Sequence, residues 1–284
     1  MTDLALAVAD LKQTGDLVKS LFVERDEVID LALLAIAAEA NMFLIGLPGV
    51  AKSAVINSLF DRIEGARIGH FTLTKGSVPD TLTGPVDVEG FRERPSKWRV
   101  STAGMLPDVH FAYISEVFKG NDLTRNAVLQ VLNERHFFNG GEKQPCPLLM
   151  CAADSNEYPD FRETAAFYDR FLIRYQVQPI GDPANLMAMV RQRVLRGRDY
   201  GAPEPVVSLT QIETIHQARR AVVIPDEVAE TAVTMIREIN SANHDAPLGD
   251  RRFGDTFDLV AARAALDGRA QATMDDLIVF NHTA

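Results

Sequence analysis

The sequence predicts an α/β fold: a mostly parallel sheet with covering helices over residues 1–181, then a smaller all-helical domain over residues 182–284. Three observations predict it. Short, uninterrupted apolar runs alternate with helical patterns, as expected for strands covered on both faces and joined by crossover helices. The first run ends in a Gly-x-Pro-Gly turn. Beyond about Asp182 the strand signal stops while helical periodicity continues.

Leu4 to Phe22 carries apolar residues at helical spacing, and Glu24 to Ala40 reads as a second helix that can bury Val28, Leu31, Leu34 and Ile36. Met42-Phe43-Leu44-Ile45 is the first strand, closed by Gly46-Leu47-Pro48-Gly49, and Ala51 to Glu64 returns to a helical pattern. Further strands are expected at Ile68 to Thr74, Val109 to Ile114, Leu148 to Ala153 and Phe171 to Val177, with a helix at Leu123 to Glu134. Arg135 to Pro147 is a hairpin candidate, turning at Asn139-Gly140-Gly141. The later helices are Ala184 to Arg196, Thr210 to Ala221, Asp226 to Ala242 and Arg251 to Leu266, with a short last one after Thr273. Pro225 and Asp275 are helix-start signals.

Charge and composition exclude several classes. There are 29 Lys and Arg against 39 Asp and Glu, a net charge of −10 that disfavours wrapping duplex nucleic acid. No apolar run approaches the ~20 residues of a transmembrane helix. The start, Met1-Thr2-Asp3-Leu4, lacks the basic region of a secretory signal. No membrane insertion is expected, and a reducing cytoplasm is the expected compartment. The two cysteines, Cys146 and Cys151, fit neither a disulfide framework nor a thiolate zinc site. The six histidines share no metal-ligand spacing.

Gly46-Leu47-Pro48-Gly49-Val50-Ala51-Lys52-Ser53 lies between a buried-strand pattern and a helix. A phosphate loop has the spacing G-x-x-x-x-G-K-[S/T], and here Ala51 stands where the second glycine belongs. If the backbone at Ala51 stays within reach of a methyl side chain, the loop amides and helix N-terminus still cradle phosphates. Lys52 then sits on the β- and γ-phosphates and Ser53 is placed for magnesium. ATP or ADP with Mg2+ is the expected ligand set.

A loop ending Gly-x-Ala-Lys-Ser resembles that of the MoxR group of AAA+ ATPases, and most closely its RavA branch. Three further segments resemble RavA in the same order: Gly104-Met105-Leu106-Pro107; Val131-Leu132-Asn133-Glu134-Arg135 with Phe138-Asn139-Gly140; and Tyr168-Asp169-Arg170-Phe171-Leu172-Ile173-Arg174. The resemblance covers most of the chain and implies a P-loop AAA+ core followed by a helical lid. A counterpart to the long C-terminal extension of RavA is not expected.

The resemblance also assigns residues. In Phe111-Ala112-Tyr113-Ile114-Ser115-Glu116, Glu116 matches the catalytic glutamate that polarises the attacking water. Ser115 replaces the aspartate that normally holds magnesium, which predicts weaker metal binding and slow hydrolysis, or binding without hydrolysis. Asp154, at the end of the next strand, is a candidate to compensate. Asn156 resembles the sensor asparagine, with Ser155 a one-residue alternative. Arg170 matches the arginine that reaches a neighbouring subunit's nucleotide. Arg174 is expected to pair with a local carboxylate in a structural role. Arg251 resembles the second sensor, contacting the γ-phosphate of its own subunit from the lid, and Arg252 is the surface or interface alternative.

The function that the resemblance implies is a ring-forming ATPase, with a hexamer the expected ring, that remodels or matures a protein client. Its implied partners are copies of itself and a separate von Willebrand factor A domain protein, since this chain has no Asp-x-Ser-x-Ser signature. A switch or scaffold that binds ATP without hydrolysing it is the alternative. A DNA-directed motor is disfavoured by the charge. The segment Val86 to Arg99, holding the single tryptophan Trp98, and the hairpin are candidate pore-facing elements or ordinary loops.

Overall fold

The computed structural model describes residues 3–93, 98–158, 164, 167–197, 204–242 and 248–283. Two helices open the chain, α1 (Asp3–Lys19) and α2 (Asp26–Ala38), and pack on one another. The buried strand β1 (Met42–Ile45) follows, then helix α3 (Lys52–Phe60), β2 (Ile63–Glu64) and β3 (Ile68–Thr72). The helix expected through Glu64 therefore stops at Phe60, because Ile63 and Glu64 pair with a distant strand instead.

Two short helices, α4 (Asp80–Thr83) and α5 (Val88–Glu93), precede β4 (Phe111–Ser115). The Val86 to Arg99 segment is closed at its base by a Val86–Val100 bridge, while residues 94–97 within it lie outside the described residues. Asn121 caps α6 (Asp122–Glu134) by accepting the Thr124 N–H, an orphan amide of the first turn. The expected hairpin is β5 (His136–Asn139) against β6 (Glu142–Pro145). Strands β7 (Met150–Ser155) and β8 (Ile173–Gln176) complete the main sheet.

That sheet runs β3-β4-β7-β1-β8, all parallel. In such a sheet ligands bind outside the carboxyl ends of the strands, where connections leave in opposite directions. β1 sits between β7 and β8, so the turn after Ile45 opens into that crevice.

Side chains alternate between the two faces. Leu44, Tyr113 and Ala152 belong to the core shared with α1, α2 and α3. Phe43, Ile114 and Ala153 belong to the opposite core with α6. Continuing the alternation, Ser115 and Asp154 fall on the α3 face.

Asp182 caps α7 (Pro183–Arg196) by accepting the Ala184 N–H. After it come β9 (Val207–Ser208), which pairs with β2, then α8 (Leu209–Arg220), α9 (Asp226–Ala242) and α10 (Asp250–Leu266). The final segment, Met274–His282, is a 3-10 helix. α8 packs on α1 and α2, and α10 packs on α2 and α8. The first two helices and the last ones thus bury one continuous apolar core.

Candidate functional site

The site begins at Gly46. A Cβ there would lie 2.4 Å from the Val177 carbonyl oxygen, so no larger residue fits without moving the backbone of the β8 end. Leu47, Pro48 and Gly49 are exposed, and the chain re-enters the protein at Val50. Ala51 sits at φ 68°, ψ 20°, immediately before the first turn of α3. This left-handed conformation is open to alanine at a cost of roughly 1–2 kcal/mol, which a glycine would avoid. The loop therefore keeps the shape its motif demands in spite of the missing glycine.

Lys52 is buried and folds back over the loop. Its Nζ donates to the Gly46 carbonyl at 2.7 Å, to the Leu47 carbonyl at 3.2 Å and to Asn156 Oδ1 at 2.7 Å. Asp154 Oδ2 stands 3.5 Å from the same nitrogen. Ser53, one residue on, is exposed in the first turn of α3, among amides that no helical carbonyl satisfies.

Strands β4 and β7 deliver the opposite wall. Glu116 ends β4 with φ 55°, a left-handed turn that aims its carboxylate back towards β7. Asn156 Nδ2 donates to Glu116 Oε1 in a short contact. Glu116 Oε2 faces Lys119 Nζ at 3.4 Å without a hydrogen bond. One asparagine thus joins the loop lysine to the glutamate. Ser155 does not take part: its hydroxyl donates to the Glu157 carbonyl and accepts the Glu157 N–H. Among the five non-glycine residues with positive φ in the described chain, two, Ala51 and Glu116, stand at this site.

Ser115, half-buried at the end of β4, brings no carboxylate to the α3 face. Asp154 brings one from the adjacent strand. Its Oδ1 accepts the Glu116 backbone N–H at 3.1 Å. Beneath both lies Tyr113, whose buried hydroxyl is close to Asp154 and to Ser53. Burial, with the nearby Asp154 and Glu116 charges, holds the phenol proton far more tightly than usual, and Ser53 opposes this.

A cavity of about 330 Å³ adjoins the loop, within the range of small-molecule sites. Phe22, Val23, Val50, Ile180 and Met189 give it apolar walls. Arg25 lines it too and donates from Nε to the Val50 carbonyl at 3.0 Å, which pins the loop to the start of α2. Glu24 accepts from the Gly181 and Asp182 amides at 3.0 and 3.2 Å, fixing the start of α7 beside the cavity.

Two arginines stand elsewhere. Asn41 donates to the Arg170 carbonyl at 3.1 Å, and Asn41 precedes β1 while the loop follows it. At ~3.3 Å per residue, the two ends are about 16 Å apart along the strand. Arg251 Nη2 binds Asp169 Oδ2 at 2.6 Å, and Arg170 Nη1 lies 3.6 Å from that oxygen. α10 is packed on α2 and α8, and its first turn stands beside Arg170, where Arg251 pairs with Asp169.

Arg174 is held locally, by an aromatic ring and a carbonyl in place of the carboxylate expected: its guanidinium lies 3.8 Å from the Tyr168 ring centroid and donates to the Tyr168 carbonyl. Arg252 is not the surface cation expected. It is buried, bonded to the Leu172 carbonyl at 3.0 Å and to the Thr283 carbonyl.

Sequence reasoning missed Asn41 and Tyr113. Asn41 makes four bonds: to the Leu132 and Arg170 carbonyls, and from the Cys151 amide and Arg135. A lone asparagine before an apolar run is also an ordinary turn residue, so only the fold reveals its task. Tyr113 reads as one more apolar strand position until the pleat aims it at Asp154.

Comparison with known proteins agrees with this geometry. The family described as the MoxR domain in the MoxR-vWA-beta-propeller ternary systems matches residues 9–217, and the AAA lid domain matches residues 227–284. Two uncharacterized proteins of Methanocaldococcus jannaschii, MJ0079 and MJ0812, are 32% and 30% identical over 96% of this chain, and 69% and 70% of their own lengths. Chaperone MoxR1 of Mycobacterium tuberculosis is 25% identical over 61% of this chain and 46% of its own. The crystal structure of a presumed ATPase from Cytophaga hutchinsonii superposes with a TM-score of 0.80 at 18% identity, covering 99% of this chain and 87% of that one. It supports the fold.

Proposed function

We infer the activity from the family to which this chain belongs, the MoxR AAA+ ATPases, and from the side chains gathered around Lys52. The chain binds ATP and ADP along Gly46 to Ser53 and hydrolyses ATP slowly, in a ring that remodels or matures a protein client. The observation that carries this reading is Lys52 Nζ, held by two loop carbonyls and Asn156 at the mouth of a phosphate-loop turn. Triphosphate oxygens replace part of that shell with stronger, charge-assisted bonds. The base and ribose fit the apolar cavity between Phe22 and Met189.

The residues fit magnesium as well. Ser53 is exposed at the helix start, and on the opposite wall the buried Glu116 Oε2 has no hydrogen-bond partner among the described residues. Held there, magnesium would neutralise the charge that develops on the phosphates during transfer. Glu116 takes a water proton or polarises the water, and Asn156 keeps that carboxylate facing the phosphate pocket.

Arg170 acts on a neighbouring subunit's nucleotide; its backbone is tied to Asn41 at the start of β1, the end of that strand remote from its own loop. Arg251 shares Asp169 with it and faces the same neighbour. Both cations then serve a head-to-tail contact that closes into a ring, with six subunits the expected number. The division of the chain at 181/182 belongs to this reading, as does the likeness to the RavA branch. A separate von Willebrand factor A domain protein is the proposed partner; the matched family description names that domain. No described helix is long and apolar enough to cross a membrane, and the cytoplasm is the proposed compartment.

Ser115 favours one second reading, an ATP-gated switch without turnover. Titration calorimetry of ATP into wild type and Lys52→Ala tests binding, which both readings need. Losing the fixed cation weakens affinity by at least ~10-fold, the worth of one charge-assisted bond. Equal affinities refute the phosphate-loop assignment.

A further inference from the structure

We propose that Asp154 supplies, from β7, the metal-side carboxylate that position 115 lacks at the end of β4. This rests on the nucleotide-binding reading above and goes beyond it by assigning the missing charge to a residue outside the motif.

The geometry points there on three counts. First, the pleat: Met150 and Ala152 lie in the α3-side core, so Asp154, two residues on, shares the face on which Ser115 ends its strand. The register Ile114–Ala153 makes Ser115 and Asp154 the next neighbours across the ladder, about 4.8 Å apart strand to strand. A carboxylate moved from one to the other stays within a side chain's length of the same point.

Second, the anchoring. Asp154 is buried, and one oxygen accepts the Glu116 amide at 3.1 Å. Its carboxylate is therefore fixed to the residue that polarises water, as a metal-orienting group must be. The other oxygen faces Lys52 at 3.5 Å, a loose ion pair that leaves lone pairs for metal-bound water. Third, the surroundings. The buried Tyr113 hydroxyl stands beside both Asp154 and Ser53, the hydroxyl placed for the metal, so the three oxygens form one cluster on the α3 face.

A purely structural Asp154, present only to neutralise Lys52, would bind no metal through its second oxygen. The test is Mn2+ binding to the protein–ADP complex, read by electron paramagnetic resonance, for wild type, Asp154→Asn and Asp154→Asn/Ser115→Asp. ADP affinity in EDTA is measured on all three by calorimetry. Asp154→Asn weakens Mn2+ by about 10–100-fold, as expected for a metal-orienting carboxylate, while metal-free ADP affinity does not fall. Returning the carboxylate at position 115 restores most of the Mn2+ affinity. Unchanged Mn2+ affinity in Asp154→Asn overturns the proposal, and so does a double variant that recovers nothing while still binding ADP. Absence of ADP binding to wild type would instead overturn the phosphate-loop reading.

Discussion

Asp154 Oδ2 lies 3.5 Å from Lys52 Nζ, and both side chains are more than nine-tenths shielded from solvent. The pair joins the loop after β1 to the strand that ends at the sensor asparagine. In the interior, such a charge pair is stable only when its remaining bonding capacity is used, and here loop carbonyls, Asn156 and the Glu116 amide use it. The same contacts hold Lys52, Asn156 and Glu116 ready for a substrate.

Mixed assemblies test the placement of Arg170. Arg170→Ala and Glu116→Gln each lower turnover by at least ~100-fold when alone, since a trans arginine and a water-polarising carboxylate are each worth that much. A 1:1 mixture regains activity, because roughly one site in four then pairs an intact Glu116 with an intact Arg170 from the head-to-tail neighbour. Phosphate release from the mixture no higher than from the separate proteins would place both residues in one subunit's site.

Asn41 sets the position of that arginine from beneath. Asn41→Ala leaves the Cys151 amide and the Leu132 and Arg170 carbonyls without their buried partner. The expected loss is about 3 kcal/mol, the scale for several unsatisfied buried groups. Urea unfolding of the two proteins checks it, and a loss below about 0.5 kcal/mol would mean that water or Arg135 replaces the amide.

Much of this was legible in the sequence, for stated reasons. A four-residue apolar run ending in glycine marked β1, spacing marked the loop, and the family resemblance pointed to Glu116 and Asn156. What escaped was set by tertiary packing. Nothing local to Gly249-Asp250-Arg251-Arg252 says that α10 docks on α2 and α8, which carries Arg251 to Asp169 and buries Arg252. Period-two patterning could have assigned Tyr113 to the face of Ser115, yet not its nearness to Asp154, which depends on the order of β4 beside β7. The two-residue strand Ile63–Glu64 pairs across more than a hundred residues and leaves no local signal.

Acid sensitivity follows from a buried histidine. His216, on α8, bonds the Ile36 carbonyl through Nε2 at 2.8 Å, while Nδ1 has no hydrogen bond among the described residues. Burial chiefly lowers its proton affinity, although the Ile36 carbonyl, Glu39 and Glu213 pull the other way. The unfolded chain therefore takes up this proton first. The histidine's contribution is complete above an unfolded value of about 6.5 and is lost as pH falls below it. His110 and His282 shift in the same direction, each chiefly through burial. Melting temperatures of wild type should fall between about pH 7 and pH 5.5, a window above carboxylate titration. His216→Gln keeps a donor for Ile36 and should fall less steeply. Parallel curves would show that His216 is not protonated on unfolding.

The most direct test of hydrolysis at this site is magnesium-dependent phosphate release by wild type and Glu116→Gln, with ATP affinity measured on the same samples. Wild type should release phosphate above the protein-free background. Glu116→Gln keeps the Asn156 contact and should bind ATP within about threefold of wild type, while release falls at least ~100-fold. Equal release from the two proteins, or ATP binding by wild type with no release at any magnesium concentration, would contradict the assignment of Glu116 as the group that activates water.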